Sequence, residues 1–223
     1  MNFSNEWENL FSDPSSNQIS RWPWSDLVTY VMRYARPTGP GFRVLELGCG
    51  SGANVPFFKF MGVDYSAIEG SESAVAMLKK AYPDWADRFA VTDFTQNLYF
   101  DGPFDLIVDR GSVCHNSTEA IQKTVALAHE NLKIGGKYIA IDWFSTELGD
   151  YTRGEHAEDR YTRKNITEGD LAGVGRVHFS DREHIEDIFR DFKITRMVHK
   201  ILTHEVPSDH ITEAYWNYVA EKK

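Results

Sequence analysis

The chain predicts an α/β fold: a doubly wound, mostly parallel sheet of seven strands whose last two form an antiparallel hairpin. Three observations carry this. Short β-rich apolar runs alternate with stretches of helical apolar spacing from residue 42 to residue 144. The first of these runs empties into a turn with three glycines at alternate positions. Near the C-terminus, two long β-rich runs are separated by a loop too short for a crossover. Strand–helix alternation puts helices on both faces of a parallel sheet, with right-handed connections. A short loop makes the final two strands antiparallel neighbours.

Each element has its own signal. Residues 1–20 hold Phe3, Trp7, Leu10 and Phe11 at helical spacing within a polar, acidic background, so a short amphipathic segment is expected. Residues 23–35 (PWSDLVTYVMRYA) read as a helix, with Pro23 in its first turn and PTGPG (37–41) ending it. Strands follow at FRVLEL (42–47), DYSAIE (64–69), RFAVTD (88–93), FDLIVD (104–109) and GKYIAIDWF (136–144). Helices are expected at NVPFFKFM (54–61), SESAVAMLKKAY (71–82) and STEAIQKTVALAHENL (117–132). Residues 145–178 break the rhythm, being charged and Gly-rich with few aliphatics, and read as a lid or insertion. Ser180 and Glu183 fit a capping box for a helix over 181–189. The runs at 192–204 and 211–223 are the terminal hairpin.

The bulk numbers exclude some functions. Against 33 acidic residues stand 24 basic ones, a net charge of −9. An acidic chain without a Lys/Arg run is repelled by phosphate backbones, so nucleic acid is not the expected partner. No apolar stretch approaches the ~20 residues of a membrane span. The N-terminus lacks the basic start and apolar run of a signal peptide, so the cytoplasm is the expected compartment. Cys49 and Cys114 give no disulfide framework. Metal ligation is not expected either. His178 and His184 flank a helix start, and no compact His/Cys/Asp cluster appears.

The strongest motif is VLELGCGSGANVPFF (44–58). A strand delivers Glu46, a turn carries Gly48, Gly50 and Gly52, and a helix begins with Pro56 in its first turns. Glycines let the backbone turn tightly and approach a ligand closely. The pattern also satisfies G-x-G-x-x-G/A with Ala53 last, so a dinucleotide competes with S-adenosylmethionine (SAM) for this turn. A carboxylate at Glu46 repels a pyrophosphate but attracts SAM, whose reactive end carries an ammonium and a sulfonium. Glu69 ends the second strand, where an acid meets ribose hydroxyls in either case. Asp93 ends the third and could accept from an adenine amino group, with Phe94 offering its ring to the base.

Taken in order, E-x-G-x-G-x-G, an acid ending strand two, Asp-Phe after strand three, FDLIVD, and LKIGG before strand five resemble the class I SAM-dependent methyltransferases, most closely over residues 40–144. The resemblance implies a Rossmann-like seven-stranded sheet with an antiparallel last strand, and SAM as cofactor. It implies that Glu46, Gly48, Cys49, Gly50 and Gly52 line the methionine end. Glu69, with Gly70, would hold the ribose, and Asp93 and Phe94 the adenine. Asp109 and Arg110 would sit beside the methionine moiety and the reacting methyl. Residues 1–39 then form a helical extension that caps cofactor or substrate, and 40–223 the SAM-binding domain with its insertion at about 145–178. The wider phrasing GSGANVPFF and the N-terminal WPWSDLV also resemble small-molecule and surface-polysaccharide methyltransferases, and the expected partner is a small-molecule acceptor, a sugar or other anionic metabolite.

Methyl transfer is an in-line displacement, so the protein mainly aligns the nucleophile, adding a base where that nucleophile is a hydroxyl. His115 in DRGSVCHN (109–116) is the general-base candidate, with Asp109 as its catalytic companion. The same His115 could instead pack beside a helix cap at Asn116 or Ser117. Trp143 could wall the acceptor site or sit in the core. Trp22 and Trp24 could close over the cofactor. Arg153, Arg160, Arg163 and Lys164 make the charged segment locally basic and would suit an anion. A non-catalytic SAM-binding module and an NAD-dependent oxidoreductase are the competing readings.

Overall fold

The computed structural model describes residues 5–13, 15–16, 19–206, 208 and 212–223; Phe3 and the start of the last strand at Ile211 lie outside the described residues. Among the described residues, ten strands and six α-helices follow one another as α1 (Asn5–Ser12), α2 (Ser25–Tyr30), β1 (Arg43–Leu47), α3 (Val55–Met61), β2 (Asp64–Glu69), α4 (Glu72–Ala81), β3 (Phe89–Val91), β4 (Phe104–Arg110), α5 (Thr118–Asn131), β5 (Leu132–Phe144), β6 (Glu155–His156), β7 (Thr162–Lys164), β8 (Val177–His178), α6 (Arg182–Ile188), β9 (Phe192–Thr203) and β10 (Thr212–Lys222). Seven strands form one sheet in the order β3-β2-β1-β4-β5-β10-β9. The first five are parallel, and β10 runs antiparallel between β5 and β9. The strand order reverses at β1, so a crevice opens between the carboxyl ends of β1 and β4, where open α/β sheets bind ligands.

Alternation along the strands builds two cores. On one face Leu45, Leu47, Ile107 and Tyr138 meet Ile121 and Val125 of α5 and Ile185 of α6. On the other, Val44, Tyr65, Leu106 and Ile139 meet Leu27 of α2, Phe58 of α3 and Leu78 of α4. A strand covered on both sides needs continuous apolar residues, which is why β1, β2 and β4 read as unbroken runs.

Two local expectations are corrected, and the insertion has more regular structure than its composition suggests. The helix of residues 23–35 begins at Ser25, after Pro23 and Trp24, and its last turn widens over Val31–Ala35, with Arg36 N donating to Val31 O at 2.9 Å. The cap of α6 is Asp181, whose Oδ1 accepts from His184 N at 2.8 Å, not Ser180. A carboxylate carries full charge toward the helix N-terminus and outcompetes the hydroxyl one residue earlier. Residues 145–178 form a short helical turn (Gly149–Thr152) and a three-stranded antiparallel sheet, β6-β7-β8. Leu148, Ile166, Leu171, Val174, Val177 and Phe179 pack there into a small core that Trp7 and Leu10 of α1 join. Its strands are two or three residues long, too short to show a period.

Candidate active site

The glycine turn is built by its neighbours' carboxylates. Gly48 N donates to Ile68 O at 2.8 Å, tying the end of β1 to β2. Gly50 N donates to Glu69 Oε2 at 2.8 Å, while Gly70 N and Ser71 N donate to Oε1 at 2.8 and 3.1 Å. Burial pushes the Glu69 carboxyl up from its ordinary value, and the three amides oppose that shift. Gly50 has φ of +51° and lies so close to α1 that a Cβ there would stand 3.1 Å from the Phe11 ring. Gly52 plays a different part from the one expected. A Cβ there would stand 2.2 Å from Leu78 Cδ2, so this glycine lets α4 pack on the turn and does not line the cleft.

Glu46 points the same way as Val44, toward α3. Its Oε1 accepts from Asn54 Nδ2 at 2.8 Å and its Oε2 from the Tyr65 hydroxyl. Only 2% of Glu46 is exposed, and desolvation pushes its pKa to about 7 despite those two donors. The carboxylate therefore stands at the edge of ionisation, and a cation brought beside it would tip the balance.

These groups floor one cleft. Its walls include Glu46, Gly48, Cys49, Gly50, Glu69, Gly70, Asp93, Phe94, Arg110 and His115, and it holds about 1000 Å³ of empty space, its open mouth included. Asp93 Oδ1 accepts from Thr95 N at 3.0 Å and from the Thr95 hydroxyl at 2.6 Å, which fixes its carboxylate beside Phe94.

Asp109 is a correction. It is fully buried and outside the cleft, with Oδ1 taking the amides of Ser112 and Val113 at 3.0 and 3.1 Å and the Ser112 hydroxyl, and Oδ2 taking the Trp143 indole N–H. It holds the turn after β4 and does not line the cleft. Trp143, equally buried, belongs to the core. Strand alternation explains both: Arg110 faces the cleft, so Asp109 before it faces in.

His115 reaches the cleft from the helical turn Val113–His115, before Ser117 caps α5 by accepting from Ala120 N at 3.4 Å. The ring lies between Trp7 and Phe144, edge to face, at centroid distances of 4.8 and 5.5 Å. Its Nδ1 is 3.0 Å from the carbonyl of Arg176 in the insertion. Burial pushes its pKa down to about 4, so the ring is neutral near pH 7. The guanidinium of Arg110 stacks on the Trp24 ring at 3.8 Å and pairs along one edge with Asp142, Nε and Nη2 each at 3.1 Å from Oδ2. Asp142, at φ of +55°, is itself held by Lys200 Nζ at 3.0 Å and by Asn217 Oδ1, which accepts its backbone N–H at 2.7 Å.

The roof comes from the N-terminal residues, which sequence reasoning only outlined. Glu8 accepts from the hydroxyls of Ser71 and Ser73 at the start of α4, which pulls its pKa down. This docks α1 so that Trp7 and Phe11 face the cleft. Ser20 and Ser51 exchange hydrogen bonds of 2.9 and 2.8 Å, and Trp24 N donates to Asn54 Oδ1 at 3.2 Å. Trp22 is 77% exposed and takes no part. Arg153, Arg160, Arg163 and Lys164 do not line the cleft: Arg153 pairs with Asp150 at 2.6 Å, and Arg163 donates to the carbonyls of Tyr151 and Arg160.

The residues fit SAM. A poised carboxylate (Glu46) suits an ammonium, a turn held open by glycine admits the methionine end, and acids at the ends of β2 and β3 suit hydroxyl and amino donors. His178 and His184 face each other at 3.1 Å between Nε2 atoms, but among the described residues no group of three metal-binding side chains gathers. No helix of the described residues is long and apolar enough to cross a membrane.

Residues 44–136 match the family described as a methyltransferase domain. No curated protein matches the chain in sequence. Among solved structures, the fold is similar to that of a SAM-dependent methyltransferase from Methanosarcina mazei (TM-score 0.68, 14% identity, covering 90% of this chain and 98% of that one). It is similar to the N-methyltransferase NodS from Bradyrhizobium japonicum in complex with S-adenosyl-L-homocysteine (0.67, 14%, 98% and 97%). It is also similar to 1,6-didemethyltoxoflavin-N1-methyltransferase from Burkholderia thailandensis (0.64, 16%, 89% and 77%).

Proposed function

We propose, from the premise that this chain is a class I SAM-dependent methyltransferase carrying its methyltransferase domain at residues 44–136, that it methylates a small-molecule acceptor. The observation that carries the reading is the roofed cleft. Trp7 and Phe11 of α1 and Trp24 cover the same space that the glycine turn floors, which suits a small acceptor better than a polymer segment. The N-methyltransferase neighbour seen with 1,6-didemethyltoxoflavin holds a small molecule on the same fold.

When bound, SAM supplies an electrophilic methyl on a sulfonium. This chain's own residues do the rest. Glu46 would meet the ammonium, Glu69 and Gly70 the ribose, and Asp93 and Phe94 the adenine, while Gly50 keeps the turn clear for the methionine chain. Trp7, Trp24, Arg110 and His115 border the remaining space and would orient the acceptor for in-line attack. His115 then works as a neutral hydrogen-bond acceptor toward the nucleophile, and the low pKa of its ring argues against its holding a proton through the reaction. Residues 1–39 would act as a cap over cofactor and acceptor, and 145–178 as the wall that carries Arg176.

The test is methyl transfer from isotope-labelled SAM to a panel of small acceptors, with SAH formation as readout. Turnover with small acceptors but not with peptides or oligonucleotides supports the reading. SAH binding without release of product from any acceptor class favours a binding module instead.

A further inference from the structure

Two groups on the acceptor side of the cleft have fixed and complementary hydrogen-bonding states. The carbonyl of Arg176 can only accept, so the His115 Nδ1 at 3.0 Å must carry the hydrogen. That leaves Nε2 as a lone pair. His115 is part of the cleft wall, and among the described residues its Nε2 has no partner. Trp7 and Phe144 hold the ring edge-on from either side, so it cannot flip to offer the other nitrogen.

Arg110 is held as firmly. Its face lies on Trp24, its Nε and Nη2 are engaged by Asp142, and Asp142 is in turn fixed by Lys200 and Asn217. Asp26 of α2 closes the network, its carboxylate taking Lys200 Nζ and, at 3.1 Å, Asn217 Nδ2. The Nη1 amino group of Arg110 makes no hydrogen bond among the described residues. One pinned acceptor and one pinned cationic donor thus border the same space.

We propose that His115 and Arg110 select the acceptor: a small molecule that carries both an N–H or O–H on the attacking atom, donated as a hydrogen bond to His115 Nε2, and an oxyanion, taken by Arg110 Nη1. This rests on the small-molecule reading above and adds the acceptor's chemical class. Guanidinium pinned against a ring is pre-organised for a carboxylate or phosphate oxygen. A lone pair on a neutral imidazole rejects carboxylate and thiolate nucleophiles, which bring no hydrogen to share, and admits amines and hydroxyls. The carbonyl of Arg176 makes the insertion a positioning element for His115, since it sets the tautomer without touching substrate.

The experiment uses the full chain saturated with SAH and four probes: anthranilate and salicylate, which carry both groups, and benzoate and aniline, which carry one each. Calorimetry should give anthranilate or salicylate an advantage of about tenfold over benzoate and over aniline, the size of one well-made hydrogen bond on each side. His115→Phe, which keeps a ring between Trp7 and Phe144, should erase the advantage over benzoate, and Arg110→Gln the advantage over aniline. The circular dichroism spectrum and Tm of each variant serve as the folding control. Long-range ¹H–¹⁵N correlation should show His115 with its proton on Nδ1. An Nε2–H tautomer, binding of none of the four probes to the SAH complex, or an advantage that survives both variants would overturn the proposal. Failure to bind SAH at all would instead remove the methyltransferase reading beneath it.

Discussion

The two halves of the cleft are made in different ways. The half proposed for the cofactor uses short, contiguous pieces: a strand end, a glycine turn and two further strand ends bring Glu46, Gly50, Glu69 and Asp93 together within residues 46–93. The half proposed for the acceptor is assembled from remote segments. Trp7 and Trp24 come from the N-terminal residues, Arg110 and His115 from the end of β4 and beyond, and the partners that fix them are Asp142, Arg176, Lys200 and Asn217. A site built from one local motif is readable as such, whereas a site built from remote segments depends on how the whole chain folds.

The sharpest way to break this comparison is at the turn. Gly50→Val forces a branched side chain into the left-handed region, at a cost of about 1–2 kcal/mol, and drives it into the space beside Phe11. SAH affinity should fall by roughly two orders of magnitude, measured by calorimetry, since clash and strain act together. Gly52→Ala should act on the fold instead. Its Cβ would overlap Leu78, and overpacking of this kind costs about 1–3 kcal/mol, visible as a drop of several degrees in Tm.

Glu46 gives a smaller, pH-dependent effect. With its folded pKa raised to about 7, the carboxyl is largely protonated at pH 6 and ionised at pH 8. A cationic ammonium binds the ionised form, so SAM affinity should rise with pH up to about 7 and then level off. A change of up to about tenfold is expected, and Glu46→Gln should flatten the profile. For stability the sign reverses. A raised pKa favours the folded state fully below about 4.5, and that contribution is lost as pH rises through 7.

The smallest effect belongs to the acceptor half. His115 has its folded pKa lowered from 6.5 to about 4. As pH falls, the unfolded chain takes up its proton first. Stability is therefore intact above about 6.5 and lost as pH falls toward 4. His115→Phe should shallow the acid limb of a Tm–pH curve, with His178, lowered to about 3 by burial and the neighbouring His184, supplying much of what remains.

This asymmetry also explains what could be read from the sequence. The sheet, its antiparallel hairpin and the gathering of Glu46, Glu69 and Asp93 around the glycine turn follow from periodicity and from glycines next to a buried strand. Asp109 misled because it stands beside Arg110 at a strand end, and only the pleat decides which of the two faces the cleft. The sheet at 155–178 was invisible because its strands are too short to alternate. Trp7 could be suspected from its helical spacing with Phe11, yet nothing local ties it to His115, more than a hundred residues away. The partners of Arg110 at Asp142 and Lys200 carry no local signal either, being ordinary charged residues in strands.

The central claim is that Glu69 and the glycine turn form a SAM site. Calorimetric titration of the wild-type chain and Glu69→Ala with SAH, and separately with NADH, tests it most directly. The account predicts saturable SAH binding that Glu69→Ala weakens at least about tenfold, or about 1.4 kcal/mol, and no heat with NADH. Absence of SAH binding, or saturable NADH binding in its place, would contradict it.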